Sequence, residues 1–285
     1  MAELYLRRVS LDIIPPEGNA KKIDGLRITF KIEKQNEATP NKAEIEVYNL
    51  SAATRAICEG DKMSVRLSVG YQGLGVTGFL GNLETIFFGN IHTVGTKKKK
   101  QIGLATRIEG VDAITKINAV DGYNRFRNSR LDKGYPPNTK LKDILDELAL
   151  AMGLGTGIVE GVPDKNYANG ISFSGSARNH LSELCLANGL EWSIQDETLQ
   201  IIPAGKATSE SIIVLNKESG LVGSPVPTDY GCTFDALLQP KLRPGRRVQI
   251  ESKFLKGVFK IRKATFDGDS HQGDFLSKCE ATNIR

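Results

Sequence analysis

Residues 28–67 read ITFKIEKQNEATPNKAEIEVYNLSAATRAICEGDKMSVRL. Ile28, Phe30 and Ile32 alternate with polar residues, as in a strand that buries one face. Gln35 to Lys42 is polar and contains Pro40-Asn41, which predicts a turn. Ala43, Ile45 and Val47 then alternate with Glu44, Glu46 and Tyr48 in a second strand. Ser51 is placed to cap a short helix over Ala52–Ile57, because its hydroxyl accepts from an amide with no helical carbonyl to reach. Gly60-Asp61 ends that helix, and Val65, Leu67 and Val69 form a third strand. The stretch builds a wall and contains no catalytic grouping.

Around this unit lie 285 residues, enough for two or three folding units with a sizeable core. Hydrophobic residues make up 40% and charged residues 25%, the balance of an ordinary globular protein. The net charge of +5 is mild and mixed along the chain, so it argues for neither specific nucleic-acid binding nor a membrane surface. The 29 glycines point to many tight turns between short strands. No run of 18 apolar residues predicts a membrane helix. The start, MAELYLRRVSLDI, lacks a signal peptide's apolar centre, so folding in a cytoplasm is expected.

Leu4, Leu6, Val9 and Leu11 suggest a first strand, ending before Pro15-Pro16. After the opening unit, Gly70 to Gly81 is a glycine-rich loop, and Glu84 to Val94 is a strand with a bulge or bend expected at Gly89. Gln101 to Val111 alternates again, and Asp112 to Arg130 reads as polar and irregular. Past Tyr135-Pro136-Pro137, Thr139 is the expected cap of a helix over Leu141–Met152 that Gly153 stops. Gly155 to Gly170 reads as a loop. Ser176 or its neighbour caps a second helix, about Ala177–Asn188, stopped by Gly189. The two helices repeat each other: LKDILDELALAMGL at 141–154 and ARNHLSELCLANGL at 177–190. A hairpin follows, turning at Gln195-Asp196-Glu197-Thr198.

The last part reads as strands at Ser211–Leu215, Cys232–Leu238, from Val248, at Gly257–Ala264 and at Leu276–Ile284. Gly220–Pro227 reads as an extended loop, and Phe266-Asp267-Gly268-Asp269 as a turn. This part echoes the first, since Gly60 with Val65 and Leu67, then Phe88 to Ile91, matches in pattern Gly245 with Val248 and Ile250, then Phe259 to Ile261. The echo suggests an α+β, mainly β chain, with two small β-barrel domains at residues 1–134 and 204–285 flanking an α/β insert at 135–203.

Reactive chemistry is sparse. Cys58, Cys185, Cys232 and Cys279 lie far apart in sequence and read as packed thiols, not as zinc ligands. His92, His180 and His271 are equally scattered, so no metal site is expected. Glu147 and Glu183 sit inside regular helices and read as surface carboxylates. Ser174-Gly175-Ser176 near His180 is explained by capping, not by a nucleophile and base. Gly153 to Gly157 follows a helix instead of preceding one, so it offers no anion site. Lys97 to Lys100 reads as a solvated hairpin tip, because no aromatics are interleaved to stack on bases. No catalytic residue is assigned, and no cofactor-binding or metal residue either.

A larger pattern joins these pieces. The run Pro40 to Ser51 continues through Thr54, Ile57, Gly60, Gly70 and Tyr71, and Phe88-Gly89-Asn90-Ile91 follows. Met152-Gly153-Leu154, Gly189 to Ser193, Thr198 to Ile201, Gly220 to Pro225 and Leu237 to Gly245 come next, in that order over nearly the whole chain. This ordered set resembles phage tail baseplate hub proteins. The resemblance implies a trimeric ring with two tube-like barrels per subunit, whose pseudo-sixfold symmetry adapts a hexameric tail tube to a trimeric spike or tip. It implies a homotrimer with a spike or tip protein, a tail tube or distal tail protein, and further a tape-measure protein as partners. It implies no enzymatic residues, and a place in the virion tail after assembly in a bacterial cytoplasm. The alternative is a tail-associated peptidoglycan hydrolase or cell-wall-binding component, with the insert as the wall-binding module. On the hub reading, Glu44, Glu46 and Tyr48 on the exposed strand face are candidates for subunit or tube contact.

Overall fold

In the computed structural model, which describes residues 6–60, 62–71, 83–92, 104–109, 112–123 and 128–284, the alternation of the opening stretch becomes strand pairing. β1 (Arg7–Ile14) and β2 (Lys21–Ile23) precede it. β3 (Ile28–Gln35) and β4 (Lys42–Tyr48) pair antiparallel, with Phe30 opposite Ile45. Ile28, Phe30, Ile32, Ala43, Ile45 and Val47 are all buried, and each large side chain among them gains about 1.5–3 kcal/mol by leaving water. Ser51 caps α1 (Ala52–Cys58), its Oγ accepting from the Thr54 amide at 3.2 Å. β5 (Ser64–Tyr71) pairs with β1, and β6 (Glu84–Ile91) pairs with β5. β7 (Leu104–Glu109) and β8 (Asp112–Val120) complete this part.

Two expectations change here. Asp112–Val120 is not irregular but a nine-residue strand. Its inward residues include Thr115, Ile117 and Ala119. One is polar and one is small, so the alternation is faint, and pairing along β4 from Lys42 to Tyr48 fixes the strand instead. The bulge in β6 lies at Ile86, not Gly89: Leu67 faces Phe87 while Ser68 faces Thr85, and both Ile86 and Phe87 point inward. Gly89 serves close packing instead, because a Cβ there would sit 2.7 Å from the Val120 carbonyl oxygen. The lysine run 97–100 and most of the Gly70–Gly81 loop lie outside the described residues.

The middle of the chain has its own core. It comprises β9 (Lys133–Tyr135), β10 (Thr139–Lys140), α2 (Leu141–Ala151), β11 (Gly155–Val159), β12 (Asn166–Tyr167), β13 (Ile171–Phe173), α3 (Ala177–Ala187), β14 (Leu190–Gln195) and β15 (Thr198–Pro203). Leu145, Leu148, Leu181 and Leu184 pack inward with Trp192, Ile194, Leu199 and Ile201. Gly153 and Gly189 stop the two helices at φ 63° and 66°, in the left-handed region that favours glycine. Thr139 does not cap α2: the cap position is Lys140, and the Thr139 hydroxyl donates to the Pro136 carbonyl at 2.7 Å. The loop expected over Gly155–Gly170 contains β11, which runs parallel to β15 and so close to it that a Cβ at Gly157 would stand 2.8 Å from the Leu199 carbonyl oxygen.

The last part comprises β16 (Ile213–Leu215), β17 (Leu221–Thr228), β18 (Gly231–Leu237), β19 (Arg247–Glu251), β20 (Lys256–Asp269) and β21 (Phe275–Asn283). The GLVGSPVP stretch is thus largely a strand, not a loop. It lies at the end of the sheet, where Pro225 and Pro227 need no outward N–H partners. Asp267-Gly268 is not a turn either, since β20 runs straight through it. Phe30 lies over Gly268 so closely that a Cβ there would stand 2.4 Å from its ring.

The chain is therefore mainly β with few helices. Strands of the first and last parts share one 14-stranded sheet, in the order β17-β18-β21-β20-β3-β4-β8-β6-β5-β1-β2, with β7, β16 and β19 off this path. The join is β3 against β20, from Thr29 opposite Asp269 to Gln35 opposite Lys263. One continuous core runs beneath, from Leu11 to Ala281. Among the described residues the sheet order does not close on itself as a barrel, and no helix is long and apolar enough to cross a membrane. Gly89→Ala is expected to destabilise the fold by about 1–3 kcal/mol through overpacking against the Val120 backbone. Urea unfolding checks this, and an unchanged midpoint contradicts it.

Candidate functional site

The most elaborate polar constellation is where the β14–β15 hairpin meets the large sheet. The hairpin turns on Asp196 and Glu197, at φ 56° and 61°, the paired left-handed geometry of a tight two-residue hairpin turn. Asp121, fully buried just past β8, accepts the Asp196 and Glu197 amides at 2.8 and 2.7 Å. Lys34 continues the inward-facing series Ile28, Phe30, Ile32 of β3 and is 0% exposed. Its Nζ donates to both Asp196 carboxylate oxygens at 2.7 Å. The Phe88 amide donates to the same carboxylate at 3.0 Å, and the Arg243 guanidinium stands 3.8 Å away. Asn41, also buried, donates to the Ile194 carbonyl at 2.7 Å and to Asp121 at 3.2 Å.

A second group of contacts continues along the hairpin. Asn36 donates to Glu191 at 2.9 Å and accepts from Gln200 at 3.0 Å. Lys260 of β20 ion-pairs with Glu191. Burial lowers the Lys260 ammonium to about 8. Burial, with the nearby Asp196 charge, raises Asp121 to about 7 against the pull of Lys34. The hairpin tip is thus keyed by charge and hydrogen bonds into β3, β6, β8 and β20. The joint fixes geometry.

The residues weighed for chemistry are engaged elsewhere. All four cysteines are free and buried, and burial raises Cys58 to about 11, Cys232 to about 11, Cys185 to about 12 and Cys279 further. They are poor nucleophiles. No group of three or more metal-type ligands assembles among the described residues. His92 packs edge-on to Tyr123, His180 packs on Phe173, and His271 contacts the Ser270 hydroxyl. The Ser174 hydroxyl donates to Asp132 at 2.7 Å, so its proton is directed at a carboxylate and not at His180. Glu147 pairs with Lys133, and Glu183 lies 3.8 Å from His180. Ser176 occupies the cap position of α3, though its side chain makes no capping bond.

The exposed strand face holds the other expected contacts. Glu44 pairs with Lys116 at 2.7 Å, and Glu46 lies opposite Lys116 in register. Tyr48 lies under the Arg27 guanidinium, which pairs with Asp269 at 2.7 Å. A row of Asp267, Lys31, Glu44 and Asn118 crosses four strands. The face is a mosaic of both charge signs. Beside it, an open groove of about 710 Å³ runs to the start of α3, lined by Lys42, His92, Tyr123 and Arg178 among others.

Sequence reading passed over Lys34, Asn41 and Asp121. Lys34 did leave a signal, since a charged residue continues an otherwise apolar inward register. Lys34→Met leaves the Asp196 carboxylate in the joint without its closest cation and is expected to cost about 3 kcal/mol. Denaturant unfolding reads the cost, and hydrogen exchange at residues 194–198 locates it. Asp121 has a folded value above its unfolded one, so the folded state holds the extra proton. Its contribution is full below about pH 4 and declines as the pH rises to about 7. Unfolding midpoints measured across that window should fall with pH in the native chain, and Asp121→Asn should flatten the slope.

Comparison with known proteins gives the context for a chain built this way. In fold it is similar to the 43 kDa tail protein of prophage MuSo2 from Shewanella oneidensis, with TM-score 0.63, 10% identity and 98% of each chain covered. It is similar to a tail protein from Neisseria meningitidis MC58, with TM-score 0.62, 10% identity and coverage of 98% of this chain and 97% of that one. It is also similar to the E. coli c3393 protein, a type VI secretion component described as resembling T4 tail proteins gp27 and gp5. There the TM-score is 0.58 at 11% identity, over 96% of this chain and 77% of that one. Comparison with curated proteins gives no match. The model of the baseplate hub gp41 family matches residues 8–281. With its mainly β fold and a polar joint that fixes geometry, the chain belongs to the baseplate hub gp41 family, structural components of the phage tail.

Proposed function

We propose that three copies of this chain form the hub ring that adapts a hexameric tail tube to a trimeric central spike or tip. Residues 1–134 and 204–285 each supply one tube-like wall, and residues 135–203 sit at the ring's periphery. The observation that supports this reading is the side-by-side union of the first and last parts of the chain in one sheet. β5 pairs antiparallel with β6, β19 pairs antiparallel with β20, and β3 against β20 joins the two halves over one core. Two walls per subunit, taken three times, present six repeats to the tube and three to the spike. The likeness of the E. coli c3393 protein to gp27 and gp5 supports a place beside a spike.

The wall-hydrolase reading receives no such support, because Ser174, Glu147 and Glu183 lie in contacts of the fold. The expected location is the virion baseplate, after assembly in a bacterial cytoplasm, with the tape-measure protein as a further partner. Light scattering on the purified chain, alone and mixed with the tube and spike proteins of the same phage, tests the proposal. A three-copy ring that binds both is expected. A stable monomer that binds neither overturns it.

A further inference from the structure

The first and last parts of the chain share one strand order. Paired neighbours run β3-β4-β8-β6-β5-β1 in the first part and β17-β18-β21-β20-β19-β16 in the last. Every pairing in both runs is antiparallel except that of β16 with β19. The registers agree as well. Ala119 of β8 lies between Ala43 and Ile91, and Ala281 of β21 lies between Cys232 and Ile261. With these positions overlaid, β17 is the counterpart of β3, since Thr228 faces Gly231 as Glu33 faces Lys42. β6 and β7 together are the counterpart of the fourteen-residue β20. β6 meets β8 at Ala119 and Val120, β7 meets it from Asp112 to Ile117, and β20 meets β21 over both stretches.

The two parts differ in what lies along the far edge. On the side away from β21, β20 pairs with β19 as far as Lys260 and then with β3 from Lys263 to Asp269. On the side away from β8, β6 pairs with β5, but among the described residues β7 pairs with β8 alone. β17 likewise pairs with β18 alone among the described residues. The strands left with one neighbour, β7 and β17, are thus the counterparts of the two strands that join the halves, β20 and β3.

We propose that β17 of one copy pairs antiparallel with β7 of the next, so that the contact between copies repeats the join of β3 to β20 within each copy. The inference rests on the hub-ring reading and names the strands that close the ring. It sets the last part of one copy against the first part of the next, so the two parts alternate around a threefold ring. The contact uses two different edges of each chain, head to tail, as a closed ring of more than two identical chains requires. Main-chain hydrogen bonds along an open edge supply the attraction. Pro225 and Pro227 have no N–H to give, so on this edge their carbonyls accept and β7 supplies the donors. The same prolines keep β17 from recruiting strands indiscriminately while a subunit is alone. β2 also ends the sheet, but the last part has no counterpart of it among the described residues.

The overlay fixes the register. Thr265 lies opposite Glu33, and Asp267 opposite Lys31. Thr265 faces Lys278 as Ala105 faces Lys116, and Asp267 faces Leu276 as Arg107 faces Ile114. Val226 faces Thr233 as Lys31 faces Glu44. Between copies, Ala105 therefore lies opposite Thr228, and Arg107 opposite Val226.

Disulfide cross-linking between copies tests this pairing. Facing Cα atoms of an antiparallel pair stand about 4.5–5.5 Å apart, within reach of a disulfide, and the four native cysteines are buried. Under mild oxidation Ala105→Cys alone and Thr228→Cys alone should give no covalent dimer. Co-expressed, the two single variants should give a covalent dimer, and the double variant a covalent trimer. Arg107→Cys with Val226→Cys, the latter at a position 59% exposed, is a second pair that should behave the same. Lys22→Cys of β2 with Thr228→Cys should not cross-link. Circular dichroism confirms that each variant folds. A trimer by light scattering in which neither pair cross-links overturns the strand contact and leaves the hub ring standing. So does a cross-link of Thr228→Cys to Lys22→Cys, or one formed within a single copy. A native chain that stays monomeric overturns the contact, and if it also binds neither tube nor spike protein, the hub reading falls with it.

Discussion

The ammonium of Lys34, fully buried at the end of β3, is the constraint on which the arrangement depends. A buried cation without a partner is strongly unfavourable. β3 therefore reaches its place with Lys34 inward only if Asp196 is brought to it on the β14–β15 hairpin, 162 residues further along the chain. Asp196 in turn is held by the Asp121 carboxylate on its own amide and on that of Glu197. The two cores, one under the large sheet and one under α2 and α3, meet through this joint. Directional bonds define one angle between the two layers, whereas an apolar contact of similar area is non-directional and tolerates sliding.

The same logic separates what was legible in the sequence from what was not. The β3–β4 pair, the Ser51 cap, the glycine stops of both helices and the Asp196-Glu197 turn were all readable. Each is decided by neighbours within a few residues. β8 and β17 were hidden for different reasons. The inward face of β8 carries Thr115 and Ala119, so pairing with β4 decides it rather than periodicity. β17 carries two prolines, which read as a loop until its place at the end of the sheet is known. Gly268 looked like a turn residue, but its role is to admit the ring of Phe30. Lys34, Asn41 and Asp121 were illegible as a group because their partners lie far away in sequence.

The helix repeat shows the limit of pattern in another way. Leu145 and Leu148 of α2 and their counterparts Leu181 and Leu184 of α3 pack inward. Leu150 and its counterpart Leu186 point outward, at 76% and 82% exposure. The repeated letters therefore record two different environments, and only the inward set follows from amphipathic spacing.

The reactive and polar side chains described above are taken up by contacts within the fold. Thiols are buried and protonated, and imidazoles are packed against rings or hydroxyls. Carboxylates in and beside the middle of the chain hold amides, lysines or hydroxyls. Internal charges set the angle between layers, while apolar side chains that the core could have taken stand outside on the last strands.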